Sequence, residues 1–212
     1  MIRYVISNLL NFYIIIFKNI KVFGCGIVRV ISGFLKGRVI KGYDIEGTRP
    51  TMDRVKMSLF GSIQDYIKDS VILDLFAGSG NLGIEAISNG SKYCYFVDNN
   101  IKCIKCINDN INNFNIQDKC NVINGDYNMV LNKFKTNNQK FDIIFVDPPY
   151  KYKVINSIID TINNYDLLND NGILVLEYQY DTILDSYKNY KIIKNKKYGE
   201  KFILILKKQL TS

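Results

Sequence analysis

From Ser70 onward the chain repeats one unit: a short apolar run, a polar or glycine-containing turn, then an amphipathic stretch. The runs are VILDLF, YCYFVD, CNVING, FDIIFVD and GILVLEY, with stretches such as NLGIEAISNG and NIKCIKCINDNINNF between them. Continuous apolar strands alternating with helices require a parallel sheet covered on both faces. The last two runs, YKIIKNKKYG and EKFILILKK, have only a short glycine turn between them, which predicts an antiparallel hairpin at the sheet edge. Ahead of the repeat, IVRVISG and GRVIKGY flank Gly33 to Gly37 and predict a small β-hairpin. TRPTMDRVKMSLFGSIQDYI follows, with Val55, Leu59, Ile63 and Ile67 on one helix face. The expectation is an α/β fold: a mostly parallel seven-stranded Rossmann-like sheet with an antiparallel last strand, plus an N-terminal hairpin.

A chain of 212 residues suits one such domain with a small appendage. It can bury roughly 70% of its unfolded surface, so a core needs no disulfide or metal. The expected division is an extension over 1–27, hairpin and linker over 28–50, and the main domain over 51–212. In the extension, the apolar run Phe12 to Phe17 is far shorter than the roughly 20 residues that span a bilayer. Lys18 and Lys21 separate it from Val22-Phe23-Gly24-Cys25, so it does not read as a lipoprotein signal. An added segment, or a start codon set too far upstream, is the expectation.

There is no histidine, which excludes Ser-His-Asp and Cys-His catalysis and His-ligated metals. Five cysteines without framework spacing fit a reducing cytoplasm, and Cys103 and Cys106 fall inside an amphipathic helix. A net charge of +8 favours a polyanionic partner, although a merely solvated basic surface gives the same number.

The first strand of the repeat ends in DLFAGSGNLG, where Gly78, Gly80 and Gly83 make G-x-G-x-x-G between strand and helix. Asp98 ends the next strand about 20 residues later, the spacing of an acid that binds ribose hydroxyls. Glycines let the backbone approach a ligand; the carboxylate accepts hydrogen bonds from two hydroxyls. The pattern alone does not separate NAD from S-adenosylmethionine. Asp74, four residues before Gly78, can meet an ammonium group or order the loop, and it would repel a pyrophosphate. Asp126, in NGDYN, can take the adenine amino group or cap a helix, or do both. Three acids on one rim suit a cationic sulfonium ligand.

FDIIFVDPPY delivers Asp147, Pro148, Pro149 and Tyr150 to the same rim. These groups match methylation of a planar exocyclic amine, whose lone pair is delocalised into its ring. Asp147 and the Pro148 carbonyl can accept the amine's hydrogens and turn the lone pair outward. The prolines stiffen that carbonyl, and Tyr150 offers a face for a base withdrawn from its helix.

RVISGFLKGRVIKG, TRPTMDRVKMSLF, DLFAGSGNLGIEAISNG and FDIIFVDPPY together, in order and spacing, resemble the RsmD family of 16S rRNA guanine-N2 methyltransferases, from about Val28 to the C-terminus. The resemblance implies a class I S-adenosylmethionine-dependent methyltransferase acting in the bacterial cytoplasm on 16S rRNA or the assembling small subunit. It implies cofactor positions at Asp74, Phe76, Ala77, Gly78, Gly80, Asp98, Asn99 and Asp126, and a catalytic loop at Asp147 to Tyr150. Arg49, Asp53 and Arg54 would close over the cofactor or touch RNA, or simply start a helix. Arg29, Lys36, Arg38 and Lys41 are candidate phosphate contacts. A monomer is expected, with no membrane partner and no metal. Two departures stand out: residues 1–27 have no counterpart, and Asn81 replaces a small apolar residue. A DNA adenine-N6 or other RNA amino-methyltransferase, a non-catalytic RNA-binding assembly protein and a nicotinamide-dependent oxidoreductase are the competing readings.

Overall fold

The computed structural model describes residues 28–42, 50–149, 154–179, 187 and 190–209. The 1–27 extension, Arg49 and Tyr150 lie outside them. At the centre is a seven-stranded sheet of order β5-β4-β3-β6-β7-β9-β8. Its strands are β3 (Val71–Leu75), β4 (Tyr93–Asp98), β5 (Cys120–Asn124), β6 (Phe141–Val146), β7 (Leu168–Gln179), β8 (Tyr190–Tyr198) and β9 (Lys201–Lys208). β3 to β7 are mutually parallel, and β9 runs antiparallel to both of its neighbours, β7 and β8. The expected fold class is the one observed.

Alternation along the strands sorts side chains to the two faces. Ile72, Phe96, Phe145, Val175 and Ile205 belong to one core cluster, under helices α1 (Pro50–Ile67), α2 (Asn81–Ser88) and α3 (Ile101–Phe114). Leu73, Val97, Ile144, Leu174 and Leu204 belong to the other, under α4 (Tyr127–Thr136) and α5 (Ile155–Asn164). The strands are apolar on both faces for this reason. On α1 the expected stripe is buried at Leu59, Ile63 and Ile67, each contributing about 1.5–3 kcal/mol relative to exposure.

The N-terminal hairpin is shorter than its sequence suggests. β1 (Val28–Arg29) and β2 (Val39–Ile40) pair over two residues each. The backbone beyond them turns to the helices instead. Ile31 and Ser32 donate to the Glu85 carboxylate, and Phe34 donates to the Ser88 carbonyl at 2.9 Å. Gly33, at φ +75°, makes this approach possible: a Cβ there would lie 1.8 Å from the Ser88 oxygen. Val30, Leu35 and Ile40 complete the docking by joining the first core cluster.

Candidate active site

Register places four acids side by side. Asp74 pairs with Phe96 on β4 and Phe145 on β6, and Phe145 pairs with Val175 on β7. Asp98, Asp147 and Glu177 each lie two residues further along, so all three share the face of Asp74. The order across the rim is Asp98, Asp74, Asp147, Glu177. Lys201 joins them from β9, two residues from Ile203, the partner of Glu177, and it forms an ion pair with Glu177.

Backbone geometry around the glycine loop follows from these acids. The Gly78 N–H donates to Asp98 Oδ2 at 2.9 Å, and the Asn100 N–H donates to Oδ1 at 2.8 Å. Asp74 Oδ2 accepts the Gly83 N–H at 2.9 Å, so of its two expected tasks the observed contact is loop ordering. Phe76 has φ +70°, and Gly78 and Gly80 have φ +59° and +80°, a turn that carries the chain from β3 into α2. The Ala77 N–H donates to Val97 and the Gly80 N–H to Ala77, which closes it. Gly83 packs on β4, where a Cβ would stand 2.3 Å from Phe96 Cε1. The Phe76 ring meets Tyr127 at 5.3 Å between centroids. Asn99 is exposed beside Asp98. Asp126 is exposed and accepts the Asn128 N–H at 2.9 Å, the helix cap that was one of its two readings.

The row is electrostatically loaded. Burial pushes Asp74 up to about 7 against the lowering effect of the Gly83 N–H, and nearby Asp98 adds to the rise. Burial also holds Asp147 well above the usual carboxylate range. The Glu177 charge and hydrogen bond reinforce that, Asp74 contributes in the same direction, and Lys201 opposes it. Carboxyls held this way favour a ligand that brings positive charge.

Asp147, Pro148 and Pro149 follow β6 on this rim, with Pro148 buried and Pro149 exposed. Asp53 and Arg54 are in the first turns of α1, half-buried and exposed respectively. The hairpin cations divide: the backbones of Arg29 and Lys41 lie near the glycine loop, through Lys56 and Asn110, whereas Lys36 and Arg38 stand away from it. Lys36 is exposed in the hairpin turn, which packs on Ser88 at the far end of α2. That is the opposite end of the sheet, a strand length of roughly 17 Å away. Arg38 lies 4.7 Å from the Phe114 ring centroid and donates to the Asn113 carbonyl. Arg29 is exposed and donates to the Gly37 carbonyl at 3.0 Å. The Lys41 backbone is held by Asn110, whose Nδ2 also donates to the Ser79 carbonyl of the glycine loop.

Three contributors escape sequence reading. Glu177 and Lys201 become visible only through strand register. Lys56 donates to the Arg29 carbonyl and to Asn81 Oδ1 at 2.8 Å, beside Glu85 at 2.9 Å. The unusual Asn81 thereby acquires a purpose: its amide oxygen accepts a hydrogen bond from a buried ammonium.

The donor set fits S-adenosylmethionine. The carboxyls of Asp74 and Asp98 suit an ammonium, a sulfonium and ribose hydroxyls. Among the described residues nothing lies within 4 Å of a would-be Cβ on Gly78, which lets a ligand reach the loop backbone. A pyrophosphate would meet like charge.

Comparison with known proteins agrees. The profile of a family described as conserved hypothetical protein 95 matches residues 28–207. YlbH of Bacillus subtilis, assigned as an rRNA methyltransferase, is 36% identical over 183 residues, 86% of this chain and 100% of its own. Ribosomal RNA small subunit methyltransferase D of Buchnera aphidicola is 35% identical over 179 residues, 84% of this chain and 89% of its own. Among solved structures, Escherichia coli yhhF, assigned as a methyltransferase, superposes with a TM-score of 0.75 at 25% identity, covering 88% of this chain and 100% of its own.

Proposed function

The chain belongs to that family, the RsmD family of small-subunit rRNA methyltransferases, and on this premise we propose that it methylates the exocyclic N2 amine of a guanine in 16S rRNA. Its cofactor is S-adenosylmethionine, which supplies an electrophilic methyl group and keeps the electron pair on sulfur when that group leaves. The chain's own residues bind and orient. Asp98 takes the ribose hydroxyls, Asp74 holds the loop and offers negative charge to the cofactor, and Asp126 flanks the adenine.

The amine is a poor nucleophile until its lone pair points at the methyl group. Asp147 and the Pro148 carbonyl accept its two hydrogens and fix that direction, so catalysis is mostly positioning. Tyr150 stacks the base once it is withdrawn from its helix. No histidine is needed. The enzyme acts in the cytoplasm as a single chain on rRNA or the assembling subunit. Among the described residues no helix is long and apolar enough to cross a membrane.

One observation carries this reading: Asp147-Pro148-Pro149 stands in the same row as Asp74 and Asp98. Transfer of labelled methyl from S-adenosylmethionine to subunits lacking the modification, with free rRNA and DNA in parallel, tests it. Label in N2-methylguanosine supports the proposal. Label in another nucleoside overturns the guanine assignment, and cofactor binding without transfer overturns catalysis.

A further inference from the structure

Glu177 has no place in the mechanism above, yet it is the group most closely joined to Asp147. Val146 pairs with Leu176 in the parallel β6-β7 ladder, so the next residues, Asp147 and Glu177, stand side by side on one face. Burial and the neighbouring Glu177 hold the Asp147 carboxyl above the usual carboxylate range. Two carboxyl groups set side by side in this way join most favourably with one proton between them. On its other side Glu177 pairs with Lys201, diagonally across the antiparallel β7-β9 ladder. The charged groups facing Asp147 are thus Glu177 on β7, Lys201 on β9 and Asp74 on β3. The alignment across the rim is carboxyl, carboxylate, ammonium.

Methylation of an amine creates a proton that must leave. The nitrogen enters with two hydrogens; the new C–N bond forms from its lone pair and leaves it positively charged, and losing one proton restores neutrality. Without histidine, the acceptor must be a carboxylate or water.

We propose that Glu177 receives this proton through Asp147, with Lys201 balancing the Glu177 charge beforehand. Asp147 accepts the N–H through the oxygen turned to the substrate, while its own proton is donated to Glu177. As the nitrogen becomes cationic its proton moves to Asp147, and the proton already on Asp147 passes to Glu177. One proton is gained by the pair and one lost by the amine, so the charges balance. Solvent at the partly exposed Lys201 side receives the proton before the next turnover. Glu177 is therefore a positioning residue that acts through Asp147, and the inference rests on the amine-methylating role proposed for that loop.

Glu177→Gln keeps a hydrogen-bonding group beside Asp147 and removes the acceptor. It should lower kcat about 100-fold, leave KM for RNA and cofactor affinity within about twofold, and abolish the acid limb of the kcat–pH profile. Lys201→Met should move that limb to higher pH, and Lys201→Arg should restore it. A second readout needs no turnover. Ligand-free wild-type protein at neutral pH should show an infrared band of a protonated carboxyl that persists in Asp74→Asn and disappears when Asp147→Asn is added to that variant. An unchanged pH profile in Glu177→Gln, or absence of that band from the wild type, overturns the proposal. Failure of the wild type to methylate RNA instead strikes the functional reading beneath it.

Discussion

The Lys56 ammonium lies 2.9 Å from Glu85 Oε2, with the two side chains only 4% and 0% exposed, and three separate parts of the chain converge on the pair. Lys56 comes from α1 and Glu85 from α2. The hairpin supplies the Arg29 carbonyl to the lysine and the Ile31 and Ser32 N–H groups to the glutamate. The pair thus fastens the hairpin and the first helix to the element that follows the glycine loop.

Removing one partner strands the other charge away from water. Lys56→Ala should destabilise the protein by about 3–5 kcal/mol, seen as a lower denaturation midpoint. Hydrogen exchange at Ile31 and Ser32 should accelerate more than exchange in β3 and β6. Equal acceleration everywhere would contradict the fastening role.

Asp74 predicts a pH dependence of stability. Its carboxyl moves from an ordinary 3.8 to about 7 on folding, so between these values the native state holds a proton that the unfolded chain has released. Stability contributed by that proton is present at low pH and lost as pH rises through about 7. The Tm of ligand-free protein should therefore fall on the order of 5 °C from pH 5 to pH 8. Asp74→Asn, which still offers an oxygen to Gly83, should flatten the decline. Bound S-adenosylmethionine should flatten it too.

Gly83 leaves no room for a side chain. In Gly83→Ala the added carbon meets Phe96 at 2.3 Å and Cys94 at 2.6 Å, both fully buried side chains of β4. The substitution should cost about 1–3 kcal/mol and weaken cofactor binding, because Asp74 loses its contact with a displaced Gly83 N–H. Calorimetric titration beside thermal denaturation measures both effects.

Asp98 joins the loop at Gly78 to the start of α3 at Asn100 with its two oxygens. Asp98→Asn retains only one acceptor and no charge. It should weaken S-adenosylmethionine binding about tenfold or more and change Tm less than Gly83→Ala does. Unaltered affinity would remove Asp98 from the cofactor site.

Strands that are apolar on both faces announce themselves, and acids placed where such strands end announce a rim; hence β3, β4 and β6 with Asp74, Asp98 and Asp147 were readable in sequence. Partners across strands were not. Glu177 looks like an ordinary polar strand end until register sets it beside Asp147. Lys56 follows Val55 on an amphipathic helix and reads as a solvated lysine, although it is among the most buried charges described. Asn110 was hidden by the asparagine-rich sequence around it, yet its side chain is fully buried between Lys41 and Ser79. The hairpin strands were overestimated because Glu85 and Ser88 take up backbone groups that a longer ladder would have used.

Chain order and sheet order part company at the C-terminal edge, where β9 is inserted between β7 and β8. β8 touches the sheet through β9, so it cannot take its place until the later strand exists. During synthesis the outer backbone of β7 from Ile173 to Gln179 waits unpaired, carrying the apolar run Ile173 to Leu176, until Lys201 to Lys208 have emerged. An unpaired apolar edge invites association with other nascent chains. A stop codon just ahead of Lys201 would accordingly remove two strands from the sheet rather than one, and would leave that edge open for the life of the molecule.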